Sequence, residues 1–509
     1  MAAEIVRRLQ DAGFTAFWVG GCVRDFLLGR EPGDYDIATS ARAEQIEALF
    51  KRTVAVGRKF GVMVVVEGRQ QCQVATFRAE ADYRDGRHPE QVTFGDAQAD
   101  ARRRDFTVNG LFFDPVSETL HDWVGGEADL RAKIIRTIGS PEERFAEDHL
   151  RLLRALRFAA QLEFEIEPGT FAALQANAPK IKTISAERVR DELIKLFSTT
   201  SLGVPLSGGA GHLCEPLTRP LATLSPPARR LAGGSDGERD GVRGASPSKS
   251  PTASSKSLLL HKPPEGGTPN GLRAARGLEL LRDSSLLEHV LPEIAATVTC
   301  EQSADYHPEG SVFNHLLLML RHLPADADPS LPWAALLHDI AKPVTASSDP
   351  KTGGIHFYEH EKIGAKMAEE ILERLRFPRK QIEAVVQAVR GHMQFKDAMR
   401  MRKSTLRRLL MRETFPLELE LHRLDCLGSH GRLDIYDFMV VQARGLEQQP
   451  EIRPPLLTGD DLIALGVKPG PALGALLAEL REKQLQDELK TPAEARRWAK
   501  QQIAWAKTA

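Results

Sequence analysis

The sequence predicts an α+β chain, with a small mixed sheet and helices at the amino end, an all-α neck, and then a second, wholly helical domain. Three observations carry that prediction. Residues 60–68 (FGVMVVVEG) and 71–78 (QCQVATFR) are β-branched runs of strand length and read as a hairpin. From residue 145 onward, apolar side chains recur at helical spacing. Between about 199 and 270 the composition turns to Gly, Pro, Ser and Arg with neither period.

At 509 residues the chain exceeds a single core. The expected units are a sheet domain over 1–140, neck helices over 141–198, a disordered insertion over 199–270, a neck continuation over 271–300, a helical domain over 301–445 and a tail over 446–509. A hydrophobic share of 42% with 27% charged residues is ordinary for a soluble protein. The net charge of −1 and a pI near 7.0 exclude a global attraction to nucleic acid, so any RNA contact must use local basic patches. The 5 cysteines are scattered without a C-x-x-C pair, which points to a reducing cytoplasm. The opening MAAEIVRRLQDAGF reads as a charged amphipathic helix without the apolar centre of a signal peptide, and no run has membrane-spanning length.

The organising stretch is Trp18 to Thr39, WVGGCVRDFLLGREPGDYDIAT. It reads as a strand, a Gly20-Gly21 turn, a short helix opening at Arg24-Asp25, a polar loop, and a second strand carrying Asp34 and Asp36. Alternation puts both aspartates on one face. Converging carboxylates are costly without a cation between them, and such hard oxygen donors suit Mg²⁺. The two glycines leave backbone N–H groups open to a triphosphate. Metal-assisted nucleotidyl transfer is the chemistry implied. Next, Ala99–Asp114 (ADARRRDFTVNGLFFD) sets Arg102, Arg103 and Arg104 beside Asp105 and Asn109 and before an apolar strand at 111–113. A carboxylate and an amide can hydrogen-bond vicinal hydroxyls. In 145–164 the leucines bury one helical face, while Asp148 and Arg151 are neighbours at i and i+3. Ser185 is a plausible N-cap for a helix over 185–197.

Taken together, GG, RD, LLG and DYD resemble the signature of the nucleotidyltransferase superfamily that contains CCA-adding enzymes and bacterial poly(A) polymerases. The resemblance implies that Asp34 and Asp36 hold the metal. Gly20, Gly21, Arg24 and Arg104 serve the triphosphate, Asp105 and Asn109 the ribose. RRDFTVNGL matches a second motif, and Asp122, Gly125, Gly126 and Asp129 mark a third, a flexible connector. EDxxR at Glu147–Arg151 matches the fourth, in which Asp148 and Arg151 pair with the Watson–Crick edge of CTP or ATP. Arg154 and Arg157 are then phosphate or scaffold contacts. Glu187, Arg188 and Glu192 match the fifth motif, whose helix braces the base-reading one. A third acidic group common in the family is replaced here by Gln73.

A second constellation runs His315, His338-Asp339, His360, His392 and Asp425. Burying an ionised Asp in an apolar helix is costly without a partner or metal. These residues suit a divalent transition-metal site and resemble the HD phosphohydrolase superfamily, with Lys342 beside the scissile phosphate. His307, His322, His356, His422 and His430 are weaker candidates. The cations of 396–413, among them Arg402, Lys403, Arg407 and Arg408, form a candidate RNA-binding face. Thr458 or Asp460 is expected to cap a first tail helix, with paired short helices after it. The family reading therefore implies transfer of CMP and AMP from CTP and ATP to the 3′ end of tRNA. Poly(A), CC-only or A-only addition is the alternative within the class; the alternative outside it is an HD phosphohydrolase with a non-catalytic nucleotide-binding head.

Overall fold

The computed structural model describes residues 1–57, 61–68, 70–79, 93–198, 267–303, 307–348, 354–447 and 455–508. Most of the polar loop expected at 83–95, and nearly all of the insertion expected at 199–270, lie outside them. Seven strands form one sheet: β1 (Ala16–Val19), β2 (Asp36–Thr39), β3 (Thr53–Gly57), β4 (Val62–Glu67), β5 (Gln70–Thr76), β6 (Phe112–Asp114) and β7 (Thr119–His121), in the order β3-β4-β5-β2-β1-β6-β7. Only β2 and β5 pair in parallel. The β4–β5 hairpin is the expected one. Residues 55–57, read only as a lead-in, belong to strand β3 on the sheet edge.

Alternation along β1 and β2 gives the sheet two apolar faces, so it is covered on both rather than on one. Ala16 and Ile37 pack with Ile5, Leu9 and Ile46 from helices Ala2–Asp11 and Ala43–Leu49. Phe17, Val19 and Ala38 pack on the other side with Phe77, Phe112 and Ala101, the last from helix Ala97–Arg102. The β2–β5 register sets Asp36 opposite Gln73.

The helix expected unbroken over 145–164 is two. Ser140 caps helix Pro141–Glu147, Asp148 turns out to φ −152°, ψ 103°, and helix Leu150–Leu162 follows. The Asp148 side chain accepts the Leu150 N–H, an unpaired donor at a helix start, and this bond favours the break. Leu150–Leu162 is buried nearly all round, Arg157 and Gln161 included, because helices Ala186–Phe197 and Pro269–Asp283 enclose it. The connector at Asp122–Asp129 is a packed turn, not a flexible one. Asp122 accepts the N–H groups of Val124, Gly126 and Glu127. A Cβ on Gly126 would lie 2.2 Å from the Thr107 carbonyl oxygen.

The helical domain shares a continuous core with the neck, and Trp333 meets both Phe197 and Phe377. In the tail Thr458 is the cap, in a capping box with Asp461, before helix Gly459–Ala464. Helices Pro471–Leu485 and Pro492–Thr508 follow, longer than expected. The basic run 396–413 is not one helix: a 3-10 segment ends at Arg400, and helix Lys403–Leu410 begins after Arg402. Arg402 is exposed. Lys403 and Arg407 instead bind Asp487, and Arg408 binds Glu482. These cations dock the tail onto the helical domain.

The Asp487 carboxyl is pulled down to about 2, first by the Arg407 hydrogen bonds, against partial burial, and then by Lys403. A depressed carboxyl stabilises the fold above its unfolded value of about 3.9, and the contribution is lost as pH falls toward the folded value. Asp487→Asn should therefore lower the urea midpoint of the tail at pH 7, followed by Trp fluorescence. The gap to wild type should stay constant down to about pH 4 and close as the pH approaches about 2.

Candidate active site and metal centre

Most of the residues singled out in the amino-terminal third converge on one cavity of about 760 Å³ at the junction of sheet and neck, whereas Arg102 and the Asp122–Asp129 connector do not line it. Asp34 and Asp36 open onto it, although only Asp36 is in β2 and Asp34 lies in the bend before the strand. Surrounding protein pushes the Asp36 carboxyl above its ordinary range even though the residue is open to the cavity; the Asp34 charge adds to this and Arg104 opposes it. A carboxylate pair with few other donors, Gln73 among the neighbours, fits a hard divalent cation that completes its shell from a substrate.

Gly20 has φ 77°, and a Cβ there would stand 2.8 Å from Arg104 Nη1. The glycine is required both for the turn and for the approach of that guanidinium. Helix Gly21–Leu27 opens at Gly21, ahead of the expected Arg24. Asp100 lies behind the arginines, 1% exposed. Its Oδ1 accepts from Arg103 Nε at 2.9 Å and its Oδ2 from Arg104 Nη2 at 2.9 Å. Burial alone would raise its pKa, but Arg104 and Arg103 hold it below the ordinary value. Asp100 was not singled out in the sequence, yet its i+3 and i+4 spacing to the two arginines was readable there.

Arg24 lines the cavity, but its guanidinium is engaged by protein groups. It is 2% exposed, with Nε donating to Asp25 Oδ1 at 2.9 Å and Nη1 to Asn109 Oδ1 at 2.7 Å. The Asn109 amide in turn donates to Asp105 Oδ1 at 3.1 Å. Arg154 donates to Asp105 Oδ2 through Nε at 2.8 Å. Arg154 also approaches Glu192, which accepts from Arg157 Nε at 2.6 Å. Burial would raise the Asp105 and Glu192 carboxyls, but Arg154 and Arg157 respectively outweigh it and hold both low. The guanidinium groups of Arg24, Arg154 and Arg157 surround the Phe158 ring at 5.2, 5.3 and 4.1 Å.

Asp148 and Arg151 do not pair with each other. Asp148 Oδ2 accepts from Arg188 Nη2 at 2.7 Å, while Arg151 binds Glu147 and the Arg144 carbonyl. All of these but Glu147 and Arg144 line the cavity. Of the expected braces, Arg188 and Glu192 reach the site, whereas Glu187 is exposed and makes no ion pair among the described residues.

In the helical domain the predicted ligands also meet. His338 Nε2 is 3.1 Å from Asp339 Oδ2, and His360 Nε2 is 3.4 Å and His392 Nε2 3.8 Å from Asp339 Oδ1. His315 Nε2 is 3.2 Å from Asp425 Oδ1. His338-Asp339 follows helix Leu331–Leu337 instead of lying within it. Lys342 Nζ reaches Asp339 Oδ2 at 2.7 Å and is 6% exposed. Among the described residues, the buried Nε2 atoms of His315 and His338 make no well-aligned hydrogen bond despite these close carboxylates, and the donor set of imidazoles and carboxylates fits a divalent metal. His307 borders this cluster. His422 is instead a core residue stacked on Phe395, and His356 stacks on Tyr358.

If Asp100 aims the arginine pair into the cavity, Asp100→Asn should weaken inorganic tripolyphosphate binding roughly tenfold, a loss of about 1.4 kcal/mol. Isothermal titration at constant ionic strength measures this.

Family models agree with this division. One of the poly A polymerase head domain matches residues 16–136, one of the probable RNA and SrmB-binding site of polymerase A matches 163–202, and one of the HD domain matches 310–427. A CCA-adding enzyme of Enterococcus faecalis is 45% identical over 215 residues, 42% of this chain and 52% of that protein. One of Staphylococcus aureus (strain MRSA252) is 46% identical over 213 residues, with the same coverage of 42% and 52%. The chain thus spans about half the length of the curated relatives it matches. Its fold is similar to that of the Bacillus stearothermophilus CCA-adding enzyme in complex with CTP, with a TM-score of 0.66 at 23% identity over 100% of this chain and 98% of that one. The Thermotoga maritima CCA-adding enzyme complexed with tRNA gives 0.52 at 16% identity over 99% and 94%. The chain thus carries a poly A polymerase head domain and an HD domain, and over part of its length it is similar to CCA-adding enzymes.

Proposed function

We propose that this protein adds CMP and AMP, from CTP and ATP, to the 3′ end of tRNA without a nucleic-acid template. One observation carries the reading: the Asp34 and Asp36 carboxylates, the Arg103 and Arg104 guanidiniums, and Asp148 beside Arg151 line a single cavity large enough for one nucleotide. Asp34 and Asp36 hold Mg²⁺. When bound there, the ion supplies positive charge at the reacting phosphate and lowers the cost of deprotonating the attacking RNA 3′-hydroxyl. Gly20 admits the triphosphate, and Arg104 with Arg103, both held by Asp100, neutralises it. Asp105 and Asn109 receive the ribose, Asn109 with its amide already oriented by Arg24.

Asp148 offers acceptor oxygens and Arg151 offers donors, a set that matches the edges of cytosine and adenine. Arg188 fixes the first of the pair and Glu147 the second, so the base is read by side chains on rigid neck helices. The buried free cysteines are consistent with a reducing cytoplasm. Among the described residues no helix is long and apolar enough to cross a membrane. A second activity rests on the histidine cluster. With a divalent metal held by His315, His338, Asp339, His360, His392 and Asp425, the HD domain hydrolyses phosphoester bonds, Lys342 facing the phosphate.

The test is tRNA lacking its 3′ end, supplied with CTP and ATP singly and together. Incorporation limited to C, C and A is expected, and Asp34→Ala or Asp36→Ala should reduce it to background. A long A tail would indicate a poly(A) polymerase. Undiminished labelling by the aspartate variants would overturn the transferase reading.

A further inference from the structure

The metal-facing histidines are not all oriented by the same device. His338, His360 and His392 each set Nδ1 against the carbonyl three residues earlier, Ala335 at 2.9 Å, Phe357 at 2.8 Å and Val389 at 2.6 Å. Those carbonyls are available because they lie in a helix's last turn or at a strand end, where the helical ladder leaves oxygens unpaired. A donated Nδ1–H fixes the tautomer and leaves Nε2 to bind a metal.

His315 has no such recourse. It lies four residues into helix Val312–Arg321, where the Ser311 carbonyl already accepts its own backbone N–H and the Val312 carbonyl belongs to the ladder. Its Nδ1 hydrogen-bonds the more distant Gly428 carbonyl at 3.3 Å and lies closer, at 2.9 Å, to Glu309 Oε1. Glu309 is well placed for this. Its side chain is 6% exposed, and its Oε1 also receives His307 Nδ1 at 2.9 Å. Gly310, at φ 88°, turns the chain from Glu309 into Ser311, whose hydroxyl caps the helix carrying His315. The Asn314 side chain donates to the Glu309 carbonyl at 3.1 Å and ties that turn down. Glu309 belongs to no motif recognised in the sequence.

We propose that Glu309 is a positioning residue of the HD metal centre: its carboxylate holds His315 with Nδ1 protonated and Nε2 turned toward Asp425 and the metal. The inference rests on the metal-centre reading above. A carboxylate in this place gives His315 a more basic ring than the carbonyl-held histidines have.

Cobalt(II) is the probe, titrated into the full chain in competition with a chelator and followed by its visible absorption. Wild type should take up cobalt at the histidine cluster, and Asp339→Ala should abolish that signal. Glu309→Ala should weaken affinity about 10–100-fold. Glu309→Gln, which keeps an acceptor oxygen, should recover most of the loss with the wild-type spectrum. Labelling of the tRNA end should be unchanged in both variants, a check that they fold. Wild-type affinity in Glu309→Ala would overturn the proposal alone. Equal loss in both variants with an altered spectrum would make Glu309 a ligand, and would overturn the positioning role. Absence of cobalt uptake in wild type, or full uptake in Asp339→Ala, would overturn the metal-centre reading and the proposal with it.

Discussion

A buried chain of charges joins the sheet to the neck, and the geometry of the amino-terminal cavity depends on it. It runs from Asp25 through Arg24, Asn109, Asp105, Arg154, Glu192 and Arg157 to Gln161, whose amide ends on the Lys195 carbonyl. Charges at this depth are costly to desolvate, and a chain of them persists only where nearly every donor and acceptor is met. Acid and base alternate from Asp105 to Arg157, and the Asn109 and Gln161 amides each accept from an arginine and pass donation onward. Removing any member leaves a buried charge unpaired, so the network ties the position of the neck helix to that of the sheet. The groups assigned to ribose and base therefore keep a fixed distance from the carboxylates of β2.

Helix Ala186–Phe197 ties the two sites to one body. Arg188 lines the amino-terminal cavity, and Glu192 lies behind it, holding the lining residue Arg157. Arg190 donates to the Arg376 carbonyl, and Phe197 packs on Trp333 at the edge of the helical domain. The apolar core runs without interruption from the strand-side Phe106 and Phe113 to Val389 and Leu424 beside the histidine cluster. The tail is held differently, by its own small core and by exposed ion pairs, which are individually weak.

Much of this was legible in the sequence because the informative features are local. The β4–β5 hairpin, the histidine series and the Gly20–Asp36 stretch each declare themselves within a few residues. What the sequence hid was partnership across elements. Arg24 reads as a free cation until Asn109 and Asp25 are seen to hold it, and Lys403, Arg407 and Arg408 read as an RNA-binding face until Glu482 and Asp487 are found against them. The break at Asp148 was hidden for the opposite reason, since leucine periodicity continues through it while one side-chain bond to Leu150 N–H favours the turn. Glu309 carries no periodic or motif signal, and only the fold brings it to His315.

The most direct test of the buried network is a double-mutant cycle on Arg24→Gln and Glu192→Gln, residues that do not pair with each other and are linked through Asn109, Asp105 and Arg154 and across the Phe158 ring. The readout is kcat/KM for a single CMP addition. A connected network predicts a coupling free energy of about 0.5–3 kcal/mol, the double variant losing less than the two single losses combined. Additivity within about 0.5 kcal/mol would mean that the two ends act independently, and would contradict the account.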